Sequence, residues 1–145
     1  MTKPRVEPKS PDDFNALGRE RLPGYLGLTI TSTSDELMTG RLELEPHHLA
    51  PNGYLHAATV IALADTLCGY GTLRSRPQGS AGFTTIEVKT NFLGTAREGT
   101  IACEARRIHA GRTTQVWDAT VVDQGSGKTI ALFRCTQMIL WPATA

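Results

Sequence analysis

Apolar residues are most concentrated in the stretch 52–71, where they occupy nearly every position of a helix drawn through it. Gly53 precedes the run, and Gly69 and Gly71 close it, as start and stop signals of a helix do. A helix that is apolar on all sides is typical of a buried element rather than one lying on a surface. The pattern therefore predicts a buried central helix over about 55–73.

Asp65 is the exception to this pattern, because it lies among apolar residues well inside the predicted helix. A buried carboxylate without a partner is costly, so the group must be neutral, hydrogen-bonded or directed into a cavity. Asp65 is therefore either a structural acid that bonds the backbone or a site residue. His56 precedes it by nine residues, which on a helix is roughly 180° of rotation and about 13 Å of rise. The two cannot meet within one chain, so a site that uses both lies between two subunits.

Alternation of apolar and polar residues predicts strands on both sides of this helix. Strand-like runs fall at about 25–30, 38–45, 83–92, 99–108, 113–123 and 129–140. A hairpin turn is predicted at Ser34 and Asp35, between the first two runs. The four runs after the helix are so close together that neighbours are expected to pair as antiparallel hairpins.

The N-terminal segment predicts a tail followed by a short helix. Residues 1–9 carry prolines and charges and are expected to be loose. Ser10 as a cap, Pro11 at the first helical position and the acids that follow predict a helix ending near Arg21. The chain has the length of one domain, over 10–145. The elements predict an α+β fold in which a curved antiparallel sheet of about six strands wraps the central helix.

Three segments, 52–71, 83–92 and 109–114, resemble hotdog-fold acyl-CoA thioesterases in order and spacing. The resemblance covers about residues 24–140 and is greatest to the branch of phenylacetyl-CoA and 4-hydroxybenzoyl-CoA thioesterases. It implies hydrolysis of an aryl- or arylacetyl-CoA to the free acid and CoA, by a homodimer that assembles into a homotetramer. Coenzyme A is then part of the substrate, and no separate cofactor is expected. The phenylacetyl relatives have Asp at the position of Asp65, and the hydroxybenzoyl relatives have Glu. The Asp favours the phenylacetyl type.

The predicted catalytic residues lie in the central helix and at its start. Asp65 is either the nucleophile or the general base, and both remain open. The N–H of Ala57, helped by that of His56, lies at the positive end of the helix and is expected to polarise the thioester carbonyl. Thr66 bonds either the carboxylate or its own helix. Relatives have Asn or Gln six residues before the His, and this chain has Ala50 at that position. Asn52, two residues later, is expected to take over the role of that Asn or Gln.

The predicted CoA site combines cations, hydroxyls and backbone amides, which are the groups that bind phosphates. A single turn offers all three, formed by Gly111, Arg112, Thr113 and Thr114. Arg74 and Arg76 are expected to add positive charge. Asn91 is expected either to line the pantetheine tunnel or to close its strand.

Composition narrows the functional classes. A net charge of +1 does not favour nucleic-acid binding, and no apolar run is long enough to span a membrane. Cys68, Cys103 and Cys135 lack CxxC spacing and predict reduced, buried thiols in a cytoplasmic protein. The two adjacent histidines at 47 and 48 have no further ligand at metal spacing, so no metal is expected. Two alternatives to hydrolysis remain: an acyl-CoA-sensing module without turnover, and an enoyl-CoA hydratase or dehydratase.

Overall fold

One antiparallel sheet curves around one long helix in the computed structural model, which describes residues 7–144. The predicted α+β architecture with six strands is confirmed. The elements in chain order are α1 (Pro11–Gly18), α2 (Leu22–Leu26), β1 (Thr29–Thr33), β2 (Leu37–Glu43), a 3-10 turn (Pro46–His48), α3 (Ala57–Ser75), β3 (Gly82–Phe92), β4 (Thr100–Ala110), β5 (Thr114–Asp123) and β6 (Thr129–Leu140).

The strand order is β1-β2-β4-β5-β6-β3, so β3 lies at an edge beside β6. The prediction that β3 and β4 form a hairpin is therefore wrong. The connection between them crosses the start of α3: Leu93 donates to the carbonyl of Ile130 at 2.7 Å, and Leu55 donates to that of Ala96 at 3.0 Å. These bonds hold the connection in place as it passes from β3 at the edge of the sheet to β4 in its middle.

The N-terminal part differs from the prediction at the end of the first helix and at one strand. Helix α1 ends at Gly18 and not near Arg21. Residues 25 and 26 belong to α2, and β1 begins only at Thr29. Pro23 lies in the first turn of α2, where its missing N–H and fixed φ favour a helix start. Gly27 then ends α2 in the left-handed conformation, with φ of 82°. Leu28 and Ile30 enter the core, as their alternation predicts.

Positions 1–6 of the predicted tail over 1–9 lie outside the described residues. The next residues contact the rest of the chain, since the Thr33 hydroxyl donates to the carbonyl of Lys9 at 2.7 Å. Ser10 caps α1 as expected, accepting from the N–H of Asp13 at 3.2 Å. The single-domain boundary at residue 10 stays a prediction.

Helix α3 begins and ends two residues later than predicted and is buried on one side only. Leu63, Leu67 and Cys68 are fully buried against the sheet. Ile61 and Asp65, on the other side, are half-buried. The prediction of a helix buried on all sides is thus wrong for a single chain, because the sheet curves around only part of the helix.

Gly71 allows a close approach of α3 to the sheet. A Cβ atom at this position would lie 2.4 Å from Cη2 of Trp117. Trp117 has no room to move away, because its ring is fully buried and its Nε1–H donates to Oε1 of Gln115 at 2.9 Å. The depth at which α3 enters the sheet therefore depends on a position without a side chain.

We predict that Gly71→Ala destabilises the protein by about 1–3 kcal/mol through overpacking against Trp117. The higher helix propensity of Ala, which exceeds that of Gly by about 1 kcal/mol, offsets part of the overpacking cost. Urea unfolding measures the change in the free energy of unfolding. The matched control is Gly69→Ala, whose Cβ would lie an ordinary 3.6 Å from Phe83; it should be neutral or stabilising. Equal destabilisation by both variants would contradict the packing argument.

Candidate functional site

Asp65 lies in the middle of α3 on its half-buried side. Its Oδ1 atom is buried and has no hydrogen-bond partner among residues 7–144. Burial raises the pKa of this carboxyl above its ordinary value. The interpretation of Asp65 as a structural acid requires a backbone partner, and none bonds this oxygen. A poorly solvated carboxylate of this kind is suited to nucleophilic or base chemistry.

The start of α3 supplies one backbone donor. His56 caps the helix, and its Nδ1 accepts from the N–H of Ala58 at 2.9 Å. The N–H of His56 donates to the carbonyl of His48 at 3.1 Å, so the expected help from this group is not available in the structure. The N–H of Ala57, the first residue of the helix, has no partner in the part of the chain that the structure describes. It is the donor that can meet a developing oxyanion.

The structure does not bring these two groups together within one chain. Ala57 and Asp65 are eight residues apart in one helix, which corresponds to about 12 Å of rise. Thr66 is half-buried beside Asp65. Asn52 lies in the turn before α3, where its Oδ1 accepts from the N–H of Tyr54 at 3.1 Å. Asn52 therefore shapes the entry to the helix.

The turn between β4 and β5 holds the predicted phosphate-binding residues together. Gly111 donates to the carbonyl of Thr114 at 2.8 Å, and the carbonyl of Thr113 accepts from Ile139 at 2.8 Å. The guanidinium of Arg112 stacks 4.7 Å from the ring centroid of Trp141. The indole N–H of Trp141 donates to the carbonyl of Arg112 at 3.0 Å. Trp141 is not among the residues predicted from the sequence, although a tryptophan just after a strand is a recognisable stacking surface.

Arg74 and Arg76 lie at the C-terminal end of α3 and already have partners within the chain. The Nε of Arg74 is 3.3 Å from the Asp35 carboxylate. The NH2 of Arg76 donates to Oε1 of Glu7 at 2.5 Å. The phosphate contacts expected of both arginines stay predictions.

Asn91 faces away from α3. A bulge in β3 between Thr85 and Glu87 shifts the register against β6. Because side chains alternate across a strand, one extra residue moves all later side chains to the opposite face. Asn91 pairs with exposed Leu132, and its neighbour Thr90 pairs with a buried residue of the core. The structure therefore does not bring Asn91 to the side of the sheet that carries Asp65.

A cavity of about 400 Å³ lies at the C-terminal end of α3, within the size range of small-molecule sites. Its wall is formed by Glu7, Pro8, Leu17, Leu73, Arg76, Ala81, Gly82 and Phe83. Asp65, Gly69 and Leu73 follow at intervals of four residues, so the same side of α3 leads from the carboxylate into this cavity. A larger depression of about 610 Å³ lies on the sheet face away from α3 and includes no residue of the candidate site.

Other chemistry finds little support in the described residues. Within 7–144, no group of three His, Cys, Asp or Glu side chains is arranged to hold a metal ion. None of the helices in this range is long and apolar enough to cross a membrane. Cys68, Cys103 and Cys135 are buried free thiols, as expected. The cytoplasmic location stays a prediction.

The six-stranded antiparallel sheet curved around one long helix is the fold of hotdog thioesterases. Residues 52–130, more than half of the chain, match the thioesterase superfamily, and the protein belongs to that family. It is thus a thioester hydrolase, in agreement with the predicted enzyme class.

Individual relatives support the same class. The 1,4-dihydroxy-2-naphthoyl-CoA hydrolase of Listeria monocytogenes is 29% identical over 111 residues, covering 77% of this chain and 89% of the relative. The structure of a variant of thioesterase PA1618 from Pseudomonas aeruginosa matches with a TM-score of 0.85 at 28% identity, covering 94% and 96% of the two chains. The Escherichia coli PaaI protein from the phenylacetic acid degradation operon matches with a TM-score of 0.78 at 22% identity, covering 90% and 93%, which shows the shared fold.

We predict that Asp65→Asn raises the melting temperature at neutral pH by a few degrees. The raised pKa means that the folded state keeps this proton to higher pH than the unfolded chain. The free energy of unfolding therefore falls as pH rises from the pKa of Asp65 in the unfolded chain to its pKa in the folded protein. Above the pKa of the folded protein, the free energy of unfolding stays at this lower value. Asn removes this loss, so the two proteins should melt alike at about pH 3 and diverge above it. A constant difference across the pH range would contradict the linkage, and Glu20→Gln, at an exposed site, serves as the control.

Proposed function

We propose that the protein hydrolyses an aryl- or arylacetyl-CoA thioester to the free acid and CoA. The observation that carries this proposal is the Asp65 carboxylate, with one buried unpartnered oxygen, on a helix face that leads into a partly apolar cavity. An apolar cavity suits an aromatic ring. The relative from Listeria, named for a naphthoyl-CoA ester, supports an aromatic acyl group.

The active site is proposed to form between two subunits. Strand β3 is the last strand of the sheet, so its outer edge has backbone groups free to pair with another chain. Ile86, Val88 and Phe92 on this strand are exposed apolar side chains. Pairing two copies at this edge would cover them and would set two α3 helices side by side. This arrangement supports a homodimer, and its assembly into a homotetramer stays a prediction.

In this dimer the N–H of Ala57 from one subunit polarises the thioester carbonyl above Asp65 of the other. Asp65 then acts in one of two ways. As a nucleophile, its carboxylate adds to the carbonyl carbon, CoA thiolate leaves and takes a proton, and water hydrolyses the mixed anhydride. As a general base, it removes a proton from the water that attacks the carbonyl, and that proton is returned as the thiolate leaves.

The turn at 111–114 is proposed to bind the nucleotide of CoA. The exposed Arg112 guanidinium can form a fork to a phosphate while Trp141 holds its plane. The hydroxyls of Thr113 and Thr114 add donors, while Gly111, whose N–H already donates to the carbonyl of Thr114, holds the turn in shape.

The function is tested with purified protein, a panel of aryl- and arylacetyl-CoA esters and a reagent for free thiols. Wild type should release CoA thiol, and Asp65→Asn should lose at least about 100-fold in kcat/KM because the attacking or basic group is gone. Glu20→Gln should keep full activity, since Glu20 is exposed and outside the site. Near-normal turnover of Asp65→Asn would overturn the role of Asp65. A protein that hydrolyses only aliphatic esters would overturn the substrate class.

Hybrid dimers test the shared site. Ala57→Pro removes the backbone donor at a position that accepts proline, because it opens the helix and His56 before it is extended, with ψ of 134°. Asp65→Ala removes the carboxylate. Each variant alone should be nearly inactive.

After co-refolding in equal amounts, about half of the dimers should be mixed, and each mixed dimer has one intact site. Up to roughly one quarter of wild-type activity should return. Hybrids detected by mass that remain as inactive as both parents would show that the site does not span two subunits.

A further inference from the structure

The cavity at the end of α3 has a charged end and an apolar wall, and this inference about it rests on the proposed function. Leu17, Leu73 and Phe83 supply the apolar wall. Gly69 lies between this wall and Asp65 along α3, and a Cβ atom there would lie 3.6 Å from the ring of Phe83, so no side chain of α3 separates this ring from the helix backbone. An acyl group with its carbonyl carbon at Asp65 can therefore extend along this side of the helix into the cavity.

Arg76 forms the charged end of the cavity. Its side chain is only 17% exposed. NH1 donates to the hydroxyl of Ser80 at 2.9 Å, and NH2 donates to the carboxylate of Glu7. The Nε–H is buried and has no hydrogen-bond partner in the described part of the chain. A buried donor without a partner is costly, so an oxygen placed beside it would be bound favourably.

Glu7 indicates which chemical group this end of the cavity accepts. Its carboxylate meets the guanidinium through one oxygen, and its side chain is 58% exposed. An ion pair with such an exposed partner contributes little to stability, so Glu7 can turn towards solvent at low cost. A substrate oxygen that enters the cavity would then meet the same guanidinium face in a drier environment, where the interaction is stronger.

We propose that Arg76 determines specificity by binding an oxygen substituent at the end of the acyl group far from the thioester. A carboxylate is bound best, because two oxygens match the guanidinium fork, and a hydroxyl is bound less well. A methyl group of similar size gains nothing from Arg76. In this role Arg76 contacts the acyl group of the substrate in place of the CoA phosphate expected from the sequence.

The test compares 4-carboxyphenylacetyl-CoA, 4-hydroxyphenylacetyl-CoA and 4-methylphenylacetyl-CoA in wild type and Arg76→Gln. We expect Arg76→Gln to lower kcat/KM about tenfold or more for the carboxy ester, less for the hydroxy ester, and within about twofold for the methyl ester. The matched control is Arg134→Gln. Arg134 also pairs with a carboxylate, that of Asp118, but lies outside the cavity. This control should leave the three values unchanged.

Glu7→Gln provides an effect of opposite sign and does not depend on the folding of the Arg76 variant. Removing the competing carboxylate should lower KM for the carboxy ester several-fold and leave the methyl ester unchanged. Equal effects on all three esters in both variants would show a structural role and overturn the inference. Thiol release from all three esters with an unchanged preference in both variants would also overturn it, while the proposed function stands. No thiol release from any aromatic ester would instead overturn the proposed function, and this inference with it.

Discussion

The packing of α3 into the concave face of the sheet is the constraint on which the rest of the molecule depends. The helix backbone comes close to the sheet where Gly71 meets the ring of Trp117, and that ring is held by Gln115. When a helix packs against a curved sheet, its own chain covers just one side of it. The other side of α3, with Ile61 and Asp65, is left half-buried. Core packing therefore creates the surface on which the candidate site lies.

The burial of Asp65 lowers the stability of the folded protein, but it serves the proposed reaction. A carboxylate that is buried without a partner lowers the stability of the folded protein at neutral pH, since its pKa is raised. In the proposed reaction, the same poor solvation makes this group a stronger nucleophile or base. Apolar surface nearby on β3 provides a reason for a second copy to cover this region, and the backbone donor at Ala57 lies too far along the helix to serve the same chain's Asp65.

The cavity beside this carboxylate combines segments that are distant in the sequence. Glu7 meets Arg76 across 69 positions of the chain, and Phe83 comes from the start of β3. Arg76 is a basic residue just after a helix, which is ordinarily a solvent-exposed position. Only the fold encloses its side chain, with Glu7 and Ser80 as partners. Sequence patterns contain no signal for such a contact.

Local patterns determined which elements form and which residues they present. The dense apolar run predicted α3 within two residues at each end, alternation predicted most strands, and Asp65 stood out because it breaks the apolar pattern. These features depend on periodicity within a few turns or pleats, which the sequence states directly. The tertiary structure alone decided that β3 pairs with β6, and that the bulge after Thr85 turns Asn91 away from α3. Strand order and register depend on contacts between distant segments and on a single extra residue in a ladder, and neither changes the local pattern of polarity.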